Sequence, residues 1–196
     1  DNEYKNSLNQ LEILINSALM APYSSFFGER VSKVGEFLQS NTKLLRHVEP
    51  KEKIYRLTDF LISQTIECGK RGCNLAERSY FNMFISVING TNLIKDGIIK
   101  TQVVRYLEFL AYSASQALEG GYNYTLEATL VFFNNIVRNL DLYALKPVQQ
   151  GFETLIAQFD RKIENFKSRY PYASNELLRI RNIFHTGFNN RKIMYV

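Results

Sequence analysis

The stretch Thr101–Leu142 reads TQVVRYLEFLAYSASQALEGGYNYTLEATLVFFNNIVRNLDL, and its apolar spacing decides the fold. Val103, Leu107, Leu110, Ala114 and Ala117 recur at steps of four, three, four and three. After Gly120-Gly121, the residues Leu126, Leu130, Phe133, Val137 and Leu140 repeat those steps. Such spacing lays each set along one face of an α-helix. The glycine break is short enough to turn the second helix back on the first as an αα-hairpin. Both helices are also apolar off these stripes, at Val104, Phe109 and Ala111 in the first and Val131, Phe132 and Ile136 in the second. A helix apolar on most sides is covered by neighbours, so the stretch predicts a central hairpin in an all-α domain, with Thr125 as N-cap of its second helix.

Further amphipathic segments lie to either side. Glu3 to Met20 carries Leu8, Leu11, Ile15 and Leu19 on one face and is stopped by Pro22. Ser24 or Ser25 is the expected cap of a helix through Val31, Val34 and Leu38. Pro50 opens a helix with Ile54, Leu57 and Leu61 that is expected to stop at Gly69. Asn74, with Glu77 three residues on, reads as a capping box for a helix bearing Phe81, Phe84 and Ile88. Beyond Pro147, the series Val148, Phe152, Leu155, Phe159, Ile163 and Phe166 marks a long helix. A last helix is expected from Ser174 or Asn175 to Gly187.

The sum is seven to eight helices in antiparallel, short-looped pairs of about 35 to 45 residues. That pattern predicts a helical array of the HEAT or armadillo kind, or an irregular helical bundle around the central hairpin. No shared set of residues aligns the pairs. Nothing long enough to serve as a linker splits the chain, so residues 1–196 are expected to form a single domain. Its start without Met and its KIMYV end suggest a piece excised from a longer protein.

A hydrophobic fraction of 45% and a charged fraction of 22% are those of an ordinary globular protein. No apolar run approaches the roughly 18 residues a membrane span needs. The net charge of +5 is concentrated at one end: residues 160–196 hold eight basic against three acidic residues, while residues 1–159 balance. Cys68 and Cys73 read as reduced thiols in a cytoplasmic setting, with a local disulfide as the sharper alternative. The sequons at Asn89 and Asn123 matter only in a secreted chain.

No phosphate-binding glycine loop, metalloprotease or nucleophile-elbow motif is present, and the Glu-x-x-His pairs of di-iron bundles are missing. Neither a cofactor nor a metal is implied. His47 reads as a solvated side chain and His185 as a helix-end residue. The chemistry therefore points to a non-enzymatic interaction or scaffold domain that binds a protein partner.

Two places suit that role. The Glu119–Tyr124 loop offers Tyr122, Asn123 and Tyr124, residue types favoured at protein interfaces. The basic C-terminal part offers Arg161, Lys162, Lys167, Arg169, Arg179, Arg181, Arg191 and Lys192. These cations also support an alternative, electrostatic attachment to nucleic acid or an anionic membrane surface, the latter suiting the soluble domain of a membrane-attached protein.

Overall fold

The computed structural model describes residues 2–190, among which there are eight α-helices, two short 3₁₀ turns and no strand. Three consecutive pairs pack together, α1 (Asn2–Met20) with α2 (Phe27–Ser40), α3 (Val48–Lys70) with α4 (Asn74–Ile88), and α7 (Lys146–Phe166) with α8 (Pro171–Asn189), while α5 (Gly97–Gly120) and α6 (Asn123–Asn139) follow each other through the short turn at Gly121-Tyr122. The 3₁₀ turns Thr42–Arg46 and Asn92–Lys95 connect α2 to α3 and α4 to α5. None of the helices is long and apolar enough to cross a membrane. The chain divides into two compact units after Tyr106, so α5 contributes its first turns to one and the remainder to the other.

In the first unit, α1 packs on α2 and α3 on α4, while like helices also lie together, α1 against α3 and α2 against α4. Most positions of the apolar stripes predicted for these helices are buried, including Leu11 and Ile15, Val31 and Leu38, Ile54 and Leu61, Phe81 and Phe84, whereas Leu8 and Leu19 of α1 are half-buried. Each such side chain contributes about 1.5–3 kcal/mol over its exposed state. The opening turns of α5 are tied to α3 by polar contacts. Gln102 Nε2 donates to the Tyr55 carbonyl at 3.3 Å, and Arg105 reaches Asp59 at 2.7 Å and Ser63 at 2.9 Å.

In the second unit, α8 packs on both α7 and α6. Phe184 of α8 meets Phe133 of α6 edge-on with centroids 6.1 Å apart, and lies 5.2 Å from Phe152 of α7. Phe152 in turn stacks on Phe188 at 3.9 Å. The C-terminal part of α5 is joined to α7 through Ser115 Oγ and Gln158 at 2.7 Å.

The pairs share a register that residue identity conceals. Leu44, Leu93 and Leu142, spaced 49 residues apart, are each buried in the segment leaving a hairpin. Pro50, Ile99 and Val148 follow at the same interval and are also buried. Leu57, Tyr106 and Leu155 continue the series, as do Leu61, Leu110 and Phe159. Between α4 and α6, the positions Phe81, Phe84 and Ile88 map onto Leu130, Phe133 and Val137. The first pair is shifted by one residue, with Val31, Val34 and Leu38 lying 50 before Phe81, Phe84 and Ile88. Burial repeats while side-chain type changes, which is why no consensus aligns the pairs in sequence.

Several local expectations are corrected. Helix α5 begins at Gly97, ahead of Thr101, because Asp96 Oδ1 accepts the Ile98 and Ile99 amides at 2.9 and 3.3 Å and caps it. Neither Ser24 nor Ser25 caps α2, whose N-cap residue is Phe26 and has no side-chain cap. Likewise Asn74 and Thr125 lie inside their helices, one and three residues past the caps Cys73 and Tyr122. Ser174 sits in the fourth position of α8, its hydroxyl facing the Ile163 carbonyl at 3.5 Å. Gly187 does not end α8, which runs on so that Phe188 is buried.

Helices α3 and α5 stop by one device. Gly72 and Gly121 both take φ of 73°, a left-handed conformation that costs glycine little. The next amides then bond back, Cys73 to the Cys68 carbonyl and Tyr122 to the Ala117 carbonyl, each at 2.9 Å. This is the Schellman closure, and it places the stop at Gly72 rather than Gly69.

Candidate interaction surface

In the second unit the turn between α5 and α6 and the turn between α7 and α8 lie at the same end. Lys162, four residues before the end of α7, donates from Nζ to the carbonyl of Glu119 at the end of α5, at 3.2 Å, and faces its carboxylate at 3.8 Å. The same ammonium sits 4.9 Å from the centroid of Phe166, whose ring meets Tyr170 edge-on at 5.7 Å. Arg179, near the middle of α8, is bonded to Glu127 early in α6.

This end exposes tyrosine from both turns. Tyr122 is 68% exposed and Tyr124 88%, while Tyr170 and Tyr172 are 60% and 87% exposed. Asn123, between the first two, is half-buried as the opening residue of α6. A tyrosine has only two side-chain torsions, so these rings present large amphipathic faces at a small cost in conformational freedom. Tyr122 and Tyr124 were legible from the Gly-Tyr loop. Tyr170 and Tyr172 join them because α8 packs against α6.

The basic residues do not converge on one patch. Arg179 and Arg181 are two positions apart on α8, about 200° around the helix, and they face different neighbours. Arg179 bonds both Glu127, at 2.8 Å, and Glu176, at 2.7 Å, while Arg181 Nε bonds Asp160 of α7 at 2.7 Å. The bond from Arg179 holds the Glu176 carboxyl below the usual carboxylate range, and the reciprocal bonds raise the guanidinium. Lys162 is committed to Glu119, and Lys167 lies 4.0 Å from Glu164. Arg161 and Arg169 are exposed and have no ion-pair partner among the described residues. Arg191 and Lys192 lie outside the described residues. Three of the predicted cations, Lys162, Arg179 and Arg181, thus join one helix to another.

The two histidines occupy unrelated surroundings. His47 is the N-cap residue of α3, its ring 4.5 Å from that of Tyr4. His185 is half-buried, with Nε2 2.7 Å from Asn189 Nδ2 and its ring 5.7 Å from Phe152. The described residues contain no group of three or more His, Cys, Asp or Glu placed to hold a metal ion. Comparison with known protein families, curated proteins and solved structures finds no match to this chain.

Proposed function

We propose that the chain is a helical-repeat interaction module that binds a protein partner through the tyrosine-bearing end of its second unit. The observation that carries this reading is the exposure of Tyr122, Tyr124, Tyr170 and Tyr172 on two turns held side by side. Tyrosine is enriched at the energetic centres of protein interfaces because it buries apolar area and still satisfies a hydroxyl. The neighbouring charges are already paired in Lys162–Glu119 and Arg179–Glu127–Glu176, which suits a surface that meets a polar protein rim rather than a polyanion.

Arg161 and Arg169, without ion-pair partners beside two exposed tyrosines, favour the competing reading, attachment to nucleic acid or an anionic membrane. Salt separates the two, since phosphate contacts weaken by orders of magnitude between about 50 and 200 mM salt. The test inserts a photo-crosslinking residue at position 124 and, as control, at position 112, in the full protein in its own cells. A defined protein adduct at position 124 is expected, resistant to salt and at least tenfold reduced by Tyr122→Ser with Tyr172→Ser. Equal adducts from both positions, or recovery unaffected by the substitutions, overturn the reading. Loss of partner with salt alone, cancelled by Arg161→Gln and Arg169→Gln, transfers the function to the electrostatic alternative.

A further inference from the structure

Cys68 and Cys73 flank the turn between α3 and α4, and the Schellman closure draws them together. Cys68 supplies the carbonyl of the outer closing bond and Cys73 its amide, at 2.9 Å. Inside it, the Gly72 amide bonds to the Gly69 carbonyl at 3.1 Å. The two residues joined by the outer bond are those whose side chains commonly meet in this motif. Standard bond lengths on either side of that hydrogen bond keep the two Cα atoms within about 6.8 Å, inside the span that a disulfide bridges.

The repeat shows what these two positions hold elsewhere. Ala117 and Tyr122 stand 49 residues further on, and Val137 and Leu142 occupy the same places in the closure of α6. Those pairs carry no redox chemistry, whereas at the α3 turn both side chains are thiols. Burial raises the Cys68 thiol and the neighbouring Cys73 raises it further, as expected of two sulfurs close together. Their access differs. Cys73 is exposed and Cys68 half-buried, and nothing crowds the turn beside Gly72.

We propose that Cys68 and Cys73 form a reversible dithiol–disulfide site that reacts with a low-molecular-weight disulfide. The exposed Cys73, as thiolate, attacks one sulfur of the small disulfide. A mixed disulfide forms, and one small thiolate leaves and takes up a proton. Cys68, as thiolate, then attacks the Cys73 sulfur, so that the Cys68–Cys73 bond forms, the mixed bond breaks and the second small thiol departs. Two electrons pass from the protein dithiol to the small disulfide, and the two cysteine protons are balanced by those on the two thiols released. The backbone already holds the two ends together, so the bond fastens the last turn of α3 to the start of α4 without reopening the Gly72 turn.

Glutathione disulfide, poised against glutathione over a series of ratios, is the probe, with acid quenching, intact mass and peptide mapping as the readout. The wild-type chain is expected to convert to an internal Cys68–Cys73 disulfide as a monomer, with the mixed disulfide a minor species. Cys68→Ser should accumulate the mixed disulfide on Cys73 at least tenfold above the wild type. Cys73→Ser should form a glutathione adduct at least tenfold more slowly. In urea, where the closure is lost, the same ratio should give at least a tenfold smaller equilibrium constant for the internal disulfide. A mixed disulfide that persists in the wild type, a disulfide formed between two chains, or an equilibrium constant unchanged by urea overturns the site. Equal adduct rates in the two single variants overturn the order of attack and with it the roles given to the two thiols.

Discussion

The Tyr106 hydroxyl of α5 donates to the Glu77 carboxylate of α4 at 2.6 Å, with Tyr106 fully buried and Glu77 only 8% exposed. Sequence reading assigned Glu77 to a capping box at the start of α4. The side chain instead turns inward, at the position that Leu126 occupies 49 residues later in α6. A carboxylate is thus held where the repeat elsewhere places an apolar side chain, and the phenol is the hydrogen-bond partner that makes its burial tolerable.

That relationship predicts strong coupling. Glu77→Leu removes the acceptor of the Tyr106 hydroxyl, and Tyr106→Phe removes the donor to a buried carboxylate, so each alone should cost about 2–4 kcal/mol. The double variant should recover at least half of the summed loss, giving a coupling of about 1–3 kcal/mol. Urea unfolding of the four proteins measures it. Additive losses would mean the bond contributes nothing beyond packing.

The same group sets a pH dependence with an unusual sign. Burial raises the Glu77 carboxyl, outweighing the Tyr106 bond that lowers it. A carboxyl raised in the folded state binds its proton more tightly there than in the unfolded chain. Its contribution is complete below the ordinary glutamate value of 4.5 and is lost as pH climbs toward the raised folded value. Asp96 acts oppositely. Burial pulls it upward, but Tyr55, the Ile99 and Ile98 amides and Lys51 together bring it below 3.8. Its contribution is present above 3.8 and is lost on further acidification. Glu77→Gln should therefore flatten the fall in stability above pH 4.5, and Asp96→Asn should remove the loss on the acid side. Unfolding midpoints of the wild type and both variants across that range decide it.

The helices were legible because their stripes are local: the three-and-four steps of Leu126, Leu130, Phe133 and Val137 are read within one segment and those residues are buried. The caps were less legible, since Asn74 and Thr125 have the right chemistry yet the chain reverses through a left-handed glycine whose backbone bonds already close the turn. The repeat was hidden because burial at a given position is satisfied by Pro50, Ile99 or Val148 alike. For the candidate surface, Tyr122 and Tyr124 announce themselves beside two glycines, whereas their association with Tyr170 and Tyr172 depends on contacts between helices far apart in sequence. The pairing of Arg179 with Glu127, 52 residues away, is equally non-local.

Helix α6 closes with the same backbone device as α3 and α5, but Asp141 holds the left-handed position at φ 51°. The Leu142 amide bonds to the Val137 carbonyl at 2.9 Å. A side chain there crowds the following carbonyl, a penalty that aspartate softens without removing. Asp141→Gly should raise stability by about 0.5–1 kcal/mol, net of the greater freedom glycine gains in the unfolded chain. Gly121→Ala should lower it by a similar amount. If both substitutions shift the thermal midpoint in the same direction, left-handed strain is not what distinguishes these turns.

Cys68 and Cys73 occupy the two ends of the Schellman closure after α3, joined by the 2.9 Å bond from the Cys73 amide to the Cys68 carbonyl. Both are free thiols, and Cys73 is exposed whereas Cys68 is half-buried. Burial raises the Cys68 thiol, proximity to Cys73 raises it further, and Arg71 opposes both. The thiolate is the reactive species, so the raised Cys68 thiol should react slowly, and its burial makes it the less accessible of the two. Iodoacetamide at neutral pH, followed by peptide mass mapping, should label Cys73 several-fold faster. Cys73→Ser should abolish the fast phase and, by removing a neighbouring thiolate, modestly speed the slow one at alkaline pH. Labelling of Cys68 at the rate of Cys73 would show that the end of α3 opens on the timescale of the reaction. The Gly72 closure would then be a frayed turn, and Gly72→Ala would be expected to accelerate both thiols together.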